Sequence, residues 1–111
     1  MNKLITVAVI DSGIYPHIDF KNRIVAFKDF VNGRKNAYDD CGHGTHVSGI
    51  IAGSGYASHG RIKGICPVAS LAGIKVLDRL GNGRIENVLD AAGWIISHQK
   101  DLNIRVVNIS F

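Results

Sequence analysis

The feature that most limits the fold is an apolar run near the start of the chain. Residues 4–10 read LITVAVI, so one threonine interrupts six apolar residues, and the run stops at Asp11, Ser12 and Gly13. A short apolar run that ends in turn-forming residues is typical of a strand buried on both faces, as in a parallel sheet. The sequence therefore predicts a buried strand over residues 4–10, with Asp11 at its carboxyl end.

Strand and helix patterns alternate along the rest of the chain. Residues 23–31 alternate apolar and polar side chains, which predicts a half-buried strand, and residues 32–42 are a polar loop. Helical spacing begins at His43 and ends in the glycine-containing residues 53–60. Residues 70–77 and 104–111 predict further strands. Residues 84–100 predict a helix with one apolar face, which consists of Val88, Leu89, Ala92, Ile95 and Ile96.

This order of elements predicts the fold class. Strands that alternate with helices indicate an α/β fold, with a parallel sheet covered by helices on both faces. The last predicted strand reaches Phe111, and no helix follows it. We therefore expect an incomplete three-layer sandwich from a truncated domain. Its uncovered sheet is expected either to pack against the missing part or to self-associate, because exposed strand edges invite pairing.

Composition and charge limit the kinds of partner that the chain is expected to bind. The chain has 111 residues, enough for one domain, and 13 Lys and Arg against 9 Asp and Glu give a net charge of +4. Acidic residues interrupt the basic ones between positions 21 and 40, whereas a nucleic-acid-binding surface needs a dense basic stripe. No run approaches the roughly 18 apolar residues that span a bilayer. We expect neither a nucleic-acid nor a membrane partner.

The cysteines and the first residues predict the compartment. Cys41 and Cys66 are too few for a disulfide framework, so free thiols are expected. Residues 1–11 contain one lysine and a short apolar run, and no small-residue cleavage site follows, so they do not match a secretory signal peptide. These features together predict a cytoplasmic protein.

Asp11 is the first candidate for chemistry. Ligands and catalytic groups gather at the carboxyl ends of strands in open α/β sheets. A carboxylate at that place can orient an imidazole or hold a metal ion. The alternative is a plain turn that ends the strand, because Asp and Gly favour turns in any case.

Residues 39–49, DDCGHGTHVSG, are the second candidate. Glycines on both sides of His43 leave its ring accessible, and a general base at a helix start needs a carboxylate to stabilise its protonated form, for which Asp11 is available. One alternative is a helix-capping segment with two incidental histidines. Another is a zinc site, although the spacing is neither His-Glu-x-x-His nor paired Cys-x-x-Cys; its ligands would come from Asp39, Asp40, Cys41, His43 and His46.

The sequence resembles the subtilisin-like serine proteases. Residues 7–14, VAVIDSGI, and residues 43–53, HGTHVSGIIAG, are similar to the family's Asp and His motifs. Residues 63–71 with 75–77, and residues 108–110, resemble later family segments, so the resemblance covers nearly the whole chain in order. It implies an α/β subtilisin-like fold and a peptidase of the intracellular bacterial alkaline-protease type.

The resemblance implies roles for individual residues. Asp11 orients the imidazole, His43 is the general base, and His46 is a structural histidine of the helix. Residues 77–83, which include Gly81 and Gly83, pair with an extended polypeptide substrate as an added strand. Ser110 flanks that substrate from the other side. An apolar pocket for a substrate residue is formed by Leu77, Ile85 and Val88.

The departures from the family pattern are also informative. The family's nucleophile lies in a Gly-Thr-Ser motif, which this sequence lacks, and the asparagine expected at the oxyanion lies beyond Phe111. Residues 1–111 are therefore expected to be the N-terminal portion of a catalytic domain and to be inactive alone. The chemistry needs no cofactor. Asp19 falls where family members often place a calcium ligand, but residues 53–60 do not keep the family's run of partner ligands.

Two other functions remain open at this point. A non-catalytic fragment or pseudo-enzyme that binds extended peptide has the same cleft, and only the missing serine separates it from a peptidase. A magnesium-dependent phosphatase could also use Asp11 at a strand end. That chemistry usually needs a second carboxylate two residues later, where this chain has Gly13.

Overall fold

The computed structural model describes residues 4–111 and contains one parallel sheet. Its four strands lie in the order β2-β3-β1-β4. They are β1 (Thr6–Asp11), β2 (Ile24–Asp29), β3 (Ser70–Lys75) and β4 (Ile104–Ile109). The helices are α1 (His43–Ala52) and α2 (Ile85–His98), with single 3-10 turns at Ile18–Phe20 and Tyr56–Ser58. The predicted alternation of strands and helices is confirmed.

Side chains from the sheet's two faces form two separate cores. On one face, Ala8 and Ile10 of β1 join β3 side chains and pack with Ala91 and Ile95 of α2. On the other face, Val7 and Val9 form a second cluster that includes Ala52 of α1. Because neighbouring residues of a strand point to opposite faces, one apolar strand supplies both cores. The predicted parallel sheet with helices on both faces is confirmed.

Strand β3 ends earlier than the sequence pattern predicts, and its end shapes the site. The apolar run continues to Leu77, but β3 stops at Lys75. The amides of Val76 and Leu77 both donate to the carbonyl oxygen of Asp11, at 2.9 and 3.2 Å. This double contact breaks the regular ladder, because one carbonyl takes two successive amides. The turn therefore holds the chain after β3 against the end of β1.

The predicted apolar face of α2 is partly wrong. Ala91 and Ile95 are buried, with Val88 and Trp94 packed beside them, whereas Leu89 and Ile96 are 67% and 78% exposed. Apolar residues cover much of the circumference of this helix, so helical spacing alone does not select the stripe that meets the sheet. The face that meets the sheet keeps the predicted Val88, which is partly buried, and Ile95, but it contains the buried Ala91 and not Ala92, which is exposed.

Edge strand β4 carries exposed apolar side chains. Val106, Val107 and Ile109 are each about half exposed, at 48%, 44% and 54%. Strand β1 pairs with only one edge of β4, so the other edge of β4 has no strand beside it within residues 4–111.

Within the described residues, no helix is long and apolar enough to cross a membrane.

Candidate active site

Asp11 lies at the carboxyl end of β1 and is fully buried. Its Oδ1 accepts a hydrogen bond from the amide of Ser12 at 2.7 Å. Its carbonyl oxygen is fixed by the amides of Val76 and Leu77. A buried carboxylate needs such donors, because a charge removed from water without partners is very costly. Both ends of the residue are therefore held in place by backbone contacts.

His43 is the first residue of α1 and contacts Asp11 directly. Its Nδ1 lies 2.9 Å from Oδ1 and 2.9 Å from Oδ2 of Asp11, while the imidazole side chain is 48% exposed. An ionised carboxylate only accepts hydrogen bonds, so Nδ1 carries a proton and, in the neutral ring, Nε2 keeps a free lone pair. The arrangement can therefore take up a proton at Nε2 and stabilise the resulting cation through Asp11.

The start of α1 is fastened to the end of β1, which fixes this pair. The amide of Gly44 donates to Oγ of Ser12 at 2.9 Å, and the amide and hydroxyl of Thr45 donate to Asp39 Oδ2 at 2.9 and 2.5 Å. Asp39 Oδ1 accepts from Ser12 Oγ at 2.8 Å. The first amides of a helix have no partner within it. Here Ser12 and Asp39 satisfy them and join the two segments.

The Asp39 carboxylate is stabilised in its charged form. Burial raises the pKa of Asp39, but hydrogen bonds from the Thr45 side chain, the amides of Gly42 and Thr45, and the Ser12 hydroxyl outweigh it. The net pKa lies below the ordinary value. A negative charge beside a helix start is also favoured by the helix dipole. Sequence reasoning treated Asp39 only as a candidate zinc ligand.

Gly44 permits the close approach of α1 to β1. A Cβ atom at Gly44 would lie 2.2 Å from the carbonyl oxygen of Gly13 and 3.2 Å from Cβ of Asp11. Gly13 itself has φ +123°, and a Cβ there would lie 2.1 Å from the carbonyl oxygen of Tyr38. The two glycines therefore allow backbone contacts that no larger residue allows without displacement.

Lys75 is a site residue that sequence reasoning missed. Its side chain is fully buried, and Nζ donates to Ser12 O, Leu77 O and Asp40 Oδ1, each at 2.7 Å. The signal in the sequence is a lysine inside the otherwise apolar run of residues 71–77. A charged residue in such a strand needs buried partners.

Tyr38 supports the same region from the preceding loop. Its hydroxyl donates to Asp29 Oδ2 at 2.5 Å, and its carbonyl oxygen accepts from the Ile14 amide at 3.1 Å. Burial and the hydrogen bond to Asp29 raise the pKa of Tyr38 to about 12. The phenol therefore stays protonated at neutral pH, and it connects the end of β2 to the segment that follows Asp11.

Most of the residues predicted to bind substrate lie in or next to the turn after β3, whereas Val88 lies within α2 and Ser110 follows β4. Leu77 is buried in the core, and its backbone pairs with Gly83 in an isolated antiparallel bridge. Gly81 and Gly83 are exposed, and Ile85 is 71% exposed. Ser110 is exposed just after β4, where its Oγ donates to Asn108 Oδ1 at 2.6 Å. A cavity of about 490 Å³ beside this turn is lined by Phe30, Val31, Val76, Asp78, Asn82, Gly83, Arg84 and Asn87.

Asp19, Asp39, Asp40 and His43, which are four of the candidate metal ligands, bind other protein groups through their side chains. Within residues 4–111, no group of three or more His, Cys, Asp and Glu side chains is placed to hold a metal ion. Asp19 Oδ1 accepts from the Ala57 amide at 2.8 Å, and the Asp19 carbonyl accepts from the Arg23 guanidinium. His46 is exposed on α1, and Cys41 and Cys66 are free thiols.

Comparisons with known proteins agree with this fold. Serine protease AprX of Bacillus subtilis (strain 168) is 46% identical over 99 residues, which are 89% of this chain and 22% of that protein. Minor extracellular protease Epr of the same organism is 41% identical over 108 residues, 97% of this chain and 16% of that protein. The crystal structure of a cold-adapted subtilisin-like serine proteinase matches with a TM-score of 0.72 and 34% identity.

The extent of these matches is limited on one side. The match to the solved structure covers 84% of this chain and 32% of the other, so the chain spans between about a sixth and a third of the proteins it resembles. Residues 2–111 match the model of the Subtilase family. This chain therefore belongs to the subtilase family of serine peptidases.

Proposed function

We propose that Asp11 and His43 are two members of an Asp-His-Ser triad, and that the protein containing this chain is a serine endopeptidase. The observation that carries the proposal is the pair itself. Nδ1 of His43 meets both oxygens of a fully buried carboxylate at 2.9 Å, while about half of the imidazole is exposed. Family membership and the names of the relatives support the same chemistry.

In the proposed mechanism, His43 moves one proton in each half-reaction. Its Nε2 accepts the proton of the attacking serine hydroxyl as the C–O bond to the substrate carbonyl forms, and then donates that proton to the leaving amine as the C–N bond breaks. Asp11 keeps the proton on Nδ1 and stabilises the imidazolium between these steps. Water then releases the acyl group by the same route, with His43 as the base.

The serine nucleophile is proposed to come from outside these 111 residues. The seven serines of the chain lack the family's Gly-Thr-Ser context. Ser12, which lies nearest to Asp11 in sequence, uses its Oγ to donate to Asp39 and to accept from Gly44. Residues 1–111 are therefore proposed to be the N-terminal portion of a subtilisin-like catalytic domain, inactive without the remainder.

The substrate is proposed to be an extended polypeptide that pairs with residues 77–83. Gly81 and Gly83 are exposed on this turn and have no side chains to obstruct an added strand. The exposed Ile85 is proposed to supply an apolar contact for one substrate residue, Leu77 is proposed to contribute through its backbone, and Ser110 is proposed to flank the opposite side. No cofactor is needed for this chemistry, and calcium is not part of the proposal.

The exposed apolar side chains of β4, which are Val106, Val107 and Ile109, are proposed to pack against the remainder of the domain. The chain covers 32% of its solved structural neighbour, so most of such a domain lies outside it. Self-association of this chain is the alternative, and analytical ultracentrifugation of residues 1–111 separates the two: a monomer favours the first and a dimer the second.

A cytoplasmic location is proposed from the two free cysteines. One relative is named as extracellular, so cell fractionation decides this point.

The test is peptide hydrolysis by the natural polypeptide that contains this sequence, purified from cells carrying altered genes. We expect His43→Ala to lower kcat on the order of 10⁶-fold and Asp11→Ala on the order of 10⁴-fold, the sizes found for a subtilisin. His46→Ala is the matched control, because His46 is an exposed histidine on the same helix. Full activity of His43→Ala contradicts the proposal. Binding of peptide without cleavage by the unaltered polypeptide supports the non-catalytic alternative.

A further inference from the structure

Lys75 is fully buried, although a lysine side chain normally keeps its charge in water. It is among the largest completely buried side chains of the described residues. A buried ammonium is tolerated only when it is paired and its hydrogen bonds are satisfied. Lysine at this place therefore requires a set of partners that the fold holds in fixed positions.

The Lys75 ammonium uses all three of its donors. Nζ lies 2.7 Å from the carbonyl oxygen of Ser12, 2.7 Å from that of Leu77 and 2.7 Å from Oδ1 of Asp40. The ring of Tyr38 lies beside it, with its centroid 5.2 Å from Nζ. An ammonium has three N–H groups and no acceptor, so this set leaves no donor for another ligand.

The three acceptors belong to three different parts of the candidate site. Ser12 directly follows Asp11, and Asp40 precedes His43 by three residues. Leu77 begins the turn at residues 77–83, where the substrate is proposed to pair. One buried charge therefore connects the segment of the proposed orienting carboxylate, the segment of the proposed base and the proposed substrate edge.

We propose that Lys75 is a positioning residue of the peptidase and that it holds these three segments in the relative positions that catalysis requires. The proposal rests on the proposed function. This role differs from a purely structural one. A buried ion pair can often be replaced by apolar residues without loss of stability, so stability alone does not require Lys75. A misplacement of about 1 Å at a catalytic group, in contrast, costs on the order of 10²-fold in rate.

Substitutions at Lys75 and at Asp40 are expected to have different kinetic effects. In the natural polypeptide, we expect Lys75→Met to lower kcat/KM roughly 10²-fold and to raise KM, because all three contacts of the ammonium are lost. Asp40→Ala removes only the contact to the segment that carries His43, so it is expected to lower kcat about 10-fold while KM stays within about twofold. Asp101→Ala, at an exposed carboxylate distant in sequence from the site, is the control and is expected to change neither.

A spectroscopic readout separates this proposal from the proposed function. In the natural polypeptide, the Nδ1 proton of His43 that bonds to Asp11 is expected to give a far-downfield NMR signal, which Lys75→Met shifts or broadens and Asp101→Ala leaves unchanged. If the unaltered polypeptide cleaves no peptide but the signal depends on Lys75, the peptidase assignment fails while the positioning role stands.

Two results overturn the positioning role. One is a folded Lys75→Met protein whose kcat/KM stays within about threefold of the unaltered value, below the effect of even a small misplacement. The other is an unchanged His43 signal in that variant. If Lys75→Met does not fold, Asp40→Ala decides, because the Asp40 side chain is 34% exposed and water can take the place of its Oδ1 as a partner of the Lys75 ammonium. Unchanged kcat in Asp40→Ala then contradicts the proposal.

Discussion

Nδ1 of His43 lies 2.9 Å from both carboxylate oxygens of Asp11, although the two residues are 32 positions apart in the chain. The contact depends on the approach of α1 to the end of β1. That approach depends in turn on Gly44, on Ser12 and on the Asp39 carboxylate. Changes at these supporting positions therefore test how the fold holds the pair together.

Gly44→Ala is expected to destabilise the protein. The added Cβ meets the Gly13 carbonyl oxygen at 2.2 Å, and backbone must move to relieve the overlap. We expect a loss of about 1–3 kcal/mol in the free energy of unfolding, measured by urea denaturation. Gly49→Ala in the same helix is the control, since no atom other than those of its chain neighbours and the local helix backbone lies within 4 Å of its Cβ position. Gly49→Ala is expected to raise the free energy of unfolding by about 0.5–1 kcal/mol, because alanine favours the helix more than glycine does. Equal effects of the two changes contradict this account.

Asp39→Asn is expected to lower stability at neutral pH by about 1–3 kcal/mol, because charged hydrogen bonds to Thr45 and Ser12 are weakened. The folded-state pKa of Asp39 lies below its ordinary value of 3.8. Its stabilising contribution is therefore complete above that value and is lost as pH falls through the folded pKa.

The measurement for Asp39 is the free energy of unfolding between pH 2 and 7 for the unaltered and Asp39→Asn proteins. The difference between the two curves is expected to shrink as the pH falls below about 4. Asp101→Asn, at an exposed position, is the control and is expected to leave the curve unchanged. A constant difference at every pH shows that the Asp39 charge does not contribute.

Ser48→Ala is expected to stabilise the protein. The Ser48 hydroxyl is fully buried in α1, and its Oγ has no hydrogen-bond partner among the described residues. An unsatisfied buried polar group costs about 1–3 kcal/mol, so its removal is expected to raise the free energy of unfolding by about 1 kcal/mol. Ser97→Ala is the control, because Ser97 is exposed and bonds to Gly93 O. A loss of stability in Ser48→Ala shows that the hydroxyl has a partner.

A bulky thiol reagent is expected to block peptide hydrolysis by the natural polypeptide. Cys41 is an exposed free thiol two residues before His43, and its modification places a large group beside the imidazole. The unaltered protein is expected to lose activity on treatment with a maleimide carrying a large substituent. Cys41→Ser is expected to keep its activity under the same treatment. Equal inactivation of both proteins points to Cys66 or another thiol.

The strands and the catalytic candidates could be predicted from the sequence, because each has a local sequence signal. The apolar run before Asp11 predicts a buried strand, and the structure places that strand in the middle of the sheet. The glycines around His43 predict an accessible residue at a helix start, where α1 begins. The assignment of Asp11 and His43 as catalytic remains a prediction until activity is measured.

The roles of the supporting residues could not be predicted from the sequence, because their contact partners are distant along the chain. Nothing local to Lys75 indicates that Ser12 and Asp40 lie within 2.7 Å of its ammonium. The buried face of α2 was mispredicted for a related reason. Leu89 and Ile96 are as apolar as Ile95, and only the packing of the helix against the sheet selects Ile95 for burial.

Intact-mass analysis after labelling with a serine-directed fluorophosphonate tests the peptidase assignment directly. The natural polypeptide is captured from its source cells through residues 1–111, and His43→Ala serves as the unreactive control. We expect a chain longer than the 12.0 kDa of these residues, with one label on a serine outside them. An unlabelled species of 12.0 kDa contradicts the peptidase assignment and favours a peptide-binding protein.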